Sequence, residues 1–140
     1  MKRFLFFSLT LALAMSTNMN AADKAEGKKE DRVFEMRIYY APPGKMKDLQ
    51  ARFRDHTTKL FEKHGITSIG YWSPTDPKEA EVKLIYILAY PSKEAADKSW
   101  AAFRADPEWV KARDASEKNG KLVEKVESTY MNPTDFSLIK

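Results

Sequence analysis

A histidine on the first predicted helix is the residue with the widest chemical range in this sequence. Apolar residues recur at helical spacing between residues 46 and 61, and this pattern predicts one buried stripe facing the rest of the fold. On that spacing His56 and Thr57 fall on the same face as the stripe. An imidazole there can act as a general base, donate a hydrogen bond to a ligand or ligate haem. Alternatively, it is a structural histidine bonded within the core. We predict His56 as a catalytic residue and Thr57 as a ligand contact.

Two aromatic residues stand where a predicted strand meets a proline-rich loop. Tyr71 and Trp72 end the strand and the loop 73–77 follows, so their side chains are placed to line the mouth of a cleft. Neighbouring strand residues point to opposite faces, so one of the pair packs and the other is free to bind. Tyr86, within the next apolar strand, is predicted beside them. We predict all three as ligand-binding, with plain core packing as the alternative.

The first predicted strand carries two opposite charges on one face. Glu35 and Arg37 are two residues apart, which places both side chains on the same side of the strand. An arginine inside such a site can hold a substrate carboxylate with two hydrogen bonds. We therefore include Arg37 among the ligand-binding residues, and a structural ion pair or a dimer contact is the alternative. His64 ends the first helix beside Gly65, where its charge would complement the helix dipole.

The composition excludes several kinds of site. The chain has no cysteine, so thiol nucleophiles, disulfides, zinc ribbons and iron–sulfur clusters are excluded. Its five glycines are scattered rather than clustered in a phosphate-binding loop, and its two histidines lack nearby grouped carboxylates. We therefore expect no metal and no cofactor. The balance of 24 basic and 20 acidic residues gives +4, or 22 − 20 = +2 without Lys2 and Arg3. This charge is too even to predict nucleic-acid binding.

The elements that must position these residues alternate between strand and helix periodicity. Period-two segments predict strands, and period-3.6 segments with Ser or Asp caps predict helices. The predicted order is strand 33–40, a helix ending at Gly65, strand 66–72, strand 82–90, a helix in two pieces beginning at Ser92 and at Asp106-Pro107, and strand 122–131. This βαββαβ order is the split βαβ of ferredoxin-like α+β folds, a four-stranded antiparallel sheet with helices on one face.

The sheet predicts a partner. We expect the face away from the helices to carry Glu35, Arg37 and Tyr39 on the first strand. The third strand, 82–90, is apolar on both of its faces, and an apolar strand on an uncovered face calls for burial. We predict that two sheets close face to face as a homodimer, a dimeric α/β barrel. The alternative is a monomer whose sheet is partly exposed.

The first 31 residues are predicted to lie outside the domain. A cationic start is followed by an apolar run, 4–15, and by Ala21-Ala22, the pattern of a secretory signal peptide over residues 1–22. The apolar run is shorter than the roughly 20 residues of a membrane-spanning helix, and an uncleaved anchor is the alternative. Residues 23–31 are charged without a large apolar side chain, which predicts a flexible linker. We expect an exported protein, periplasmic or secreted, with its domain at 32–140 and no integral membrane association after cleavage.

Six short segments, spread from about residue 33 to residue 131, form a distinctive pattern when they are taken together. They are Phe34–Tyr39, Pro43-Gly44, Leu60–Gly65, Ile69–Trp72, Tyr86–Tyr90 and Trp100–Trp109. Together they resemble the NIPSNAP family. The resemblance implies a ferredoxin-like domain of the dimeric α/β-barrel superfamily, and the family is largely without an assigned reaction. Superfamily relatives include cofactor-free monooxygenases, haem-degrading enzymes and isomerases, which is an analogy of fold and does not define function.

Two functional interpretations stay open. The first is an exported NIPSNAP-like domain that acts as a dimeric small-molecule-binding or interaction module. Its ligand would be small and partly apolar and would sit between the sheet and the first helix. The alternative is a cofactor-independent oxygenase or isomerase acting on a small aromatic or ketone substrate, with His56 as general base. The absence of a recognisable catalytic constellation favours the first interpretation.

Overall fold

The computed structural model describes residues 32–140, so the predicted signal peptide and linker lie outside the described residues. The elements are β1 (Val33–Tyr40), α1 (Met46–Arg52), a π-helical segment (Phe53–Thr57), α2 (Thr58–Lys63), β2 (Thr67–Trp72), α3 (Pro77–Ala80), β3 (Lys83–Tyr90), α4 (Lys93–Ala105), α5 (Pro107–Ser116) and β4 (Lys125–Met131). Across residues 32–140, none of the helices combines the length and the apolar character needed to cross a membrane.

The four strands form one antiparallel sheet in the order β2-β3-β1-β4. Along β1 and β3, Val33 lies opposite Tyr90 and Tyr40 lies opposite Lys83. β2 pairs with the other side of β3 and has an irregularity after Ser68, and β2 and β4 form the two edges. The predicted ferredoxin-like α+β fold is confirmed. The short helix α3 is an addition that the sequence analysis did not predict.

The first helix contains an irregular turn that changes which residues it buries. The N–H of Thr58 donates to the carbonyl of Phe53, five residues earlier, which is the bond of a π-helix. Phe53, Thr57 and Phe61 are all buried, in steps of four residues. His56 is exposed, so its predicted position facing the sheet is wrong. A pattern of 3.6 residues per turn does not anticipate the wider turn.

The second helical region begins at two capped positions, as predicted. The Ser92 hydroxyl accepts a hydrogen bond from the Ala95 N–H at 3.1 Å. The Asp106 carboxylate accepts from the Glu108 N–H at 2.8 Å, with Pro107 as the first residue of α5. Each side-chain oxygen satisfies a backbone donor that the new helix leaves unpaired. The chain therefore turns sharply between α4 and α5 without losing hydrogen bonds.

Asp106 also joins that corner to the end of the first helix. Its carboxylate accepts hydrogen bonds from the Lys63 ammonium at 2.9 Å and from His64 Nε2 at 2.6 Å. Its side chain is only 4% exposed. The bonds from Lys63 and His64, together with the Glu108 N–H, hold the pKa of Asp106 well below its ordinary value of 3.8. The position of His64 is structural.

We expect Asp106→Asn to lower the melting temperature at neutral pH, because asparagine keeps the helix cap but removes the charge that pairs with Lys63. A carboxyl whose pKa is lowered by folding stabilises above its unfolded value, and that contribution is lost as the pH falls. The melting curves of the two proteins should therefore differ above about pH 5 and converge toward pH 2. A melting difference that stays constant across this range would contradict the role of the charge.

Aromatic side chains dominate the core between the helices and the sheet. Phe61 packs against Phe103 with ring centroids 4.9 Å apart and meets Trp100 edge to face at 5.3 Å. Phe53 meets Tyr86 at 5.2 Å. Offset and edge-to-face pairs of this kind add to the free energy of burial. The cluster fixes both helical regions onto β3.

The predicted orientation of β1 is wrong. Glu35 and Arg37 point toward the helices, and Glu35 is 1% exposed. Phe34, Met36 and Ile38 point to the other side of the sheet. Alternation divides a strand into two faces but does not say which face the helices cover. The helices supply hydrogen-bond donors for the charged face, as described below.

The sheet face away from the helices, hereafter the outer face, is consequently more apolar than predicted. Its central strands present Met36, Ile38, Ile85 and Ile87, all of them half-buried in the single chain. Leu84, Tyr86, Leu88 and Tyr90 of β3 face the helices and are buried. The prediction that β3 is apolar on both faces is confirmed.

Candidate functional site

A cleft of about 330 Å³ opens between the first helix and the end of β2. We call it the helix–β2 cleft. Its lining residues are Gln50, Phe53, Arg54, Thr58, Tyr71, Trp72, Ser73 and Leu84. Known ligand pockets have volumes of roughly 300–1,000 Å³ and combine apolar walls with a few polar groups. The helix–β2 cleft has this mixture and lies at the small end of that range.

Tyr71 forms part of the aromatic wall and is fixed from two sides. Its ring stacks on Tyr86 with centroids 5.6 Å apart and meets Phe53 nearly edge to face at 5.8 Å. Its hydroxyl is 2.6 Å from the Ser68 hydroxyl. Burial raises the pKa of Tyr71, although the bond with Ser68 opposes the shift. The phenol is therefore neutral at physiological pH and can donate or accept a hydrogen bond.

Trp72 lies at the rim of the cleft and depends on a glycine for its orientation. Its side chain is 49% exposed, and its ring folds back over Gly70. A Cβ atom added to Gly70 would lie 2.7 Å from Trp72 Cη2, closer than side-chain carbons approach. Glycine within a strand often marks such a close approach. Gly70 pairs with Ile87 and Trp72 with Ile85, so the Trp72 ring lies on the face of the sheet away from the helices, while Tyr71 forms the wall of the cleft.

The helix supplies the polar side of the cleft. Gln50, Arg54 and Thr58 line it at successive intervals of four residues. The π-helical segment lies within this stretch and aligns residues four to five apart more closely than a regular α-helix does. Turns of this type occur frequently at functional sites. The same irregularity that turned His56 outward lies beside the polar groups of the cleft.

A second depression extends the cleft along the edge strand. It has a volume of about 470 Å³ and shares Thr58 and Tyr71 with the helix–β2 cleft. Its other walls come from the end of the first helix and the start of β2, including Lys59, Glu62 and Ser68. The two depressions are neighbours between the first helix and β2.

The structure brings two of the six predicted site residues, Tyr71 and Trp72, to the cleft. Tyr86 lies beneath Tyr71 and is 0% exposed, so it supports the wall without reaching a ligand. Thr57 is 2% exposed, and its hydroxyl donates to the Arg52 carbonyl at 3.2 Å within the π-helical segment. Both residues lie behind the lining of the cleft and support it.

His56 lies on a different surface. It borders a polar depression of about 380 Å³ between the first helix and α5, together with Asp48, Asp55 and Ser116. None of these residues lines the helix–β2 cleft. Within residues 32–140 no group of three or more histidine, aspartate or glutamate side chains is placed to hold a metal ion.

Arg37, the remaining predicted residue, belongs to a buried network centred on Glu35. Arg37 Nη1 donates to Glu35 Oε1 at 2.5 Å, and Arg37 Nε donates to the Tyr86 hydroxyl at 2.9 Å. Its guanidinium also lies 4.4 Å from the centre of the Trp100 ring. With these contacts Arg37 is engaged within the fold. The geometry therefore agrees with a structural ion pair, the alternative left open by the sequence.

Glu35 accepts four hydrogen bonds from three strands and a helix. Ser128 donates to Oε1 at 2.6 Å, beside Arg37, while Tyr90 and Trp100 donate to Oε2 at 2.7 and 2.8 Å. Burial alone would raise the pKa of Glu35, but the bonds from Ser128 and Tyr90 and the charge of Arg37 outweigh it and lower the pKa. The carboxylate is ionised, and each of its oxygens accepts two hydrogen bonds from within the fold. Glu35 is therefore a structural group.

Sequence reasoning missed most of the helix side of the cleft. Gln50, Arg54 and Thr58 carry one signal, a polar series at spacing four beside the apolar stripe. Phe53 and Leu84 carry none, because each reads as an ordinary core residue and both are indeed buried. Each residue nevertheless lines the cleft with a small part of its side chain, because β2 ends beside the irregular turn.

The comparisons with known proteins agree with this fold. A search of curated proteins gave no match. A NIPSNAP family protein of unknown function from Agrobacterium tumefaciens is 21% identical, with 79% of this chain and 95% of that chain covered and a TM-score of 0.67. A second protein of the family from the same species is 22% identical, with 78% and 99% covered and a TM-score of 0.68. A Streptomyces coelicolor monooxygenase, solved with the ligand nanaomycin D, is 16% identical, with 79% and 94% covered and a TM-score of 0.55.

Structural likeness at these identities concerns the fold alone. The family assignment comes from the sequence pattern of NIPSNAP, which matches residues 34–138. That match includes β1 from its second residue onward, the other three strands, both helical regions and the whole lining of the helix–β2 cleft. The chain belongs to the NIPSNAP family.

Proposed function

We propose that this protein is a small-molecule-binding module whose ligand occupies the helix–β2 cleft. The observation that carries the proposal is the composition of the cleft: apolar walls from Phe53, Tyr71 and Leu84 stand beside polar side chains of the helix, namely Gln50, Arg54 and Thr58. Apolar walls with a few placed polar groups are typical of ligand sites. The ligand is small and partly apolar, and its flat part would lie against Tyr71.

We also propose that the protein is a homodimer joined through the outer faces of its sheets. The half-buried apolar residues of the central strands support this, since a single chain leaves them beside solvent. The C-terminal segment adds Phe136, Leu138 and Ile139, which are 81, 102 and 54% exposed. This segment borders an apolar cavity of about 300 Å³ on the same outer face. A second copy would cover both features, because a twofold interface brings like surfaces together.

The N-terminal sequence supports export as the setting for this function. A cationic start, an apolar run of about a dozen residues and an Ala-Ala end form a signal peptide pattern over residues 1–22. We propose that the mature protein begins near residue 23 and is periplasmic or secreted. The mass of the protein recovered from the exported fraction of its host tests this, and a protein that retains residues 1–22 there would contradict cleavage.

The enzymatic alternative has weaker support. The fold shared with a monooxygenase is consistent with an oxygenase, although that likeness concerns architecture alone. Its predicted base, His56, lies on another surface, and the described residues that line the helix–β2 cleft include no histidine, aspartate or glutamate. We therefore prefer a binding role. Conversion of a cleft ligand by the purified protein would reverse this preference.

We expect Tyr71→Leu to weaken binding of a small aromatic probe about tenfold, since it removes the aromatic ring on the strand side of the cleft. The probe is 2-naphthamide, which is neutral, and the measurement is its dissociation constant by calorimetry. Circular dichroism checks the fold of this variant, because Tyr71 also stacks on Tyr86. The control is Val126→Ala on the opposite edge strand, where the side chain is 41% exposed. Equal affinities for both variants and the wild type would show that the probe binds outside the cleft. If neither 2-naphthamide nor 2-naphthoate binds, the proposed function is refuted.

A further inference from the structure

We infer that the ligand of the helix–β2 cleft is an anion: a small aromatic molecule with one acidic group, such as a carboxylate or phenolate, that pairs with Arg54. This inference rests on the proposed function and adds the chemical class of the ligand. It follows from the charges that line the cleft and from the contacts that Arg54 makes within the fold.

The lining of the cleft carries positive charge and no negative charge. Arg54 is its single charged side chain, and the remaining polar groups are Gln50, Thr58, Tyr71 and Ser73. The amide of Gln50 and the hydroxyls can donate hydrogen bonds. None of the described lining residues is a carboxylate that could neutralise a bound cation. The electrostatic environment therefore favours a negative group over a positive one.

Arg54 is also the arginine whose charge the fold does not use. Residues 32–140 contain six arginines. Arg37, Arg52 and Arg113 form ion pairs with carboxylates, Arg32 donates to a carbonyl, and Arg104 lies over the Trp100 ring. In the same range, Arg54 forms no ion pair, no side-chain hydrogen bond and no stacking contact with a ring. Its planar guanidinium keeps all five N–H donors for a partner, and a carboxylate matches two of them at once.

The position of Arg54 relative to the aromatic wall sets the shape of the ligand. Arg54 and Thr58 lie on the helix side, and the ring of Tyr71 lies on the strand side of the same cleft. A ring stacked against the strand side would direct an acidic substituent toward the helix. The volume of about 330 Å³ suits one or two fused rings with a single short substituent.

The test compares two probes of nearly equal shape. We expect wild-type protein to bind 2-naphthoate at least tenfold more tightly than 2-naphthamide, because a hydrogen-bonded charge pair adds to the same aromatic contact. Arg54→Gln should remove this preference, so that the variant binds the two probes with equal affinity. Arg104→Gln, an exposed arginine on α4, is the matched control and should keep the preference. Dissociation constants come from calorimetry, and circular dichroism checks the fold of each variant.

The outcomes separate the inference from the function on which it rests. Equal affinity of the wild type for the two probes overturns the anionic ligand but leaves a binding cleft. A preference that survives Arg54→Gln, or that is also lost in Arg104→Gln, overturns the role of Arg54. Failure of both probes to bind overturns the proposed function together with the inference. Only a preference lost in Arg54→Gln alone supports the inference.

Discussion

Replacing Glu35 with alanine is expected to lower the free energy of unfolding by about 4 kcal/mol, because breaking a buried ion pair costs roughly 3–5 kcal/mol. The change leaves the Arg37 guanidinium without its carboxylate. It also removes the acceptor for Tyr90, Trp100 and Ser128, so three donors lose their bonds at once. Urea unfolding followed by circular dichroism gives the difference directly.

The control for this prediction is Glu79→Ala. Glu79 pairs with Lys83 at 2.8 Å but is 52% exposed, and surface pairs of this kind contribute about 1 kcal/mol or less. A similar loss in both variants would contradict the importance of the buried network. If Glu35→Ala does not fold, Trp100→Phe tests the same network, since it removes one donor and keeps an aromatic ring. Its expected cost is about 1–3 kcal/mol.

The same network should make stability depend on pH. Folding lowers the pKa of Glu35 below its ordinary value of 4.5. Its stabilising contribution is therefore complete above that value and is lost as the pH falls toward the lowered pKa. The difference in unfolding free energy between the wild type and Glu35→Gln should accordingly be constant near neutrality and shrink in acid.

The second large effect concerns the proposed homodimer. We expect Ile87→Glu to weaken dimerisation at least 100-fold, equivalent to about 2.7 kcal/mol, because it would bury an unpaired charge in the interface. Ile87 lies on a central strand opposite Met36 and is half-buried in the single chain. The glutamate therefore remains solvated in a monomer, and the monomer should stay folded. Sedimentation equilibrium measures the dimer dissociation constant.

Val126→Glu introduces the same charge on the side of the sheet that faces the helices. Val126 lies on β4 and is 41% exposed, so we expect the dimer to persist in this variant. Persistence of the dimer in Ile87→Glu would contradict an interface on the outer face. A wild-type protein that sediments as a monomer at micromolar concentration would remove the homodimer altogether. Native mass spectrometry of the purified protein would report the oligomer and any retained ligand together.

The sequence by itself determined the order of elements and therefore the fold. Strand and helix periodicities depend on neighbours a few residues apart, and caps such as Ser92 and Asp106 act within one turn. These local signals placed β1, β3 and the corner between α4 and α5 nearly where the structure has them. Tyr71 and Trp72 were also predictable as cleft residues, since a strand that ends at a proline-rich loop brings its last side chains to a rim.

Only the tertiary structure decided the orientation of β1 and the phase of the first helix. Glu35 faces the helices because Trp100, Tyr90 and Ser128, distant in sequence, supply donors there. His56 faces solvent because a π-helical turn lets Phe53 and Phe61 both pack on the core. Each outcome depends on contacts between separate elements, which local periodicity does not contain. The same contacts place Arg54 at the helix–β2 cleft.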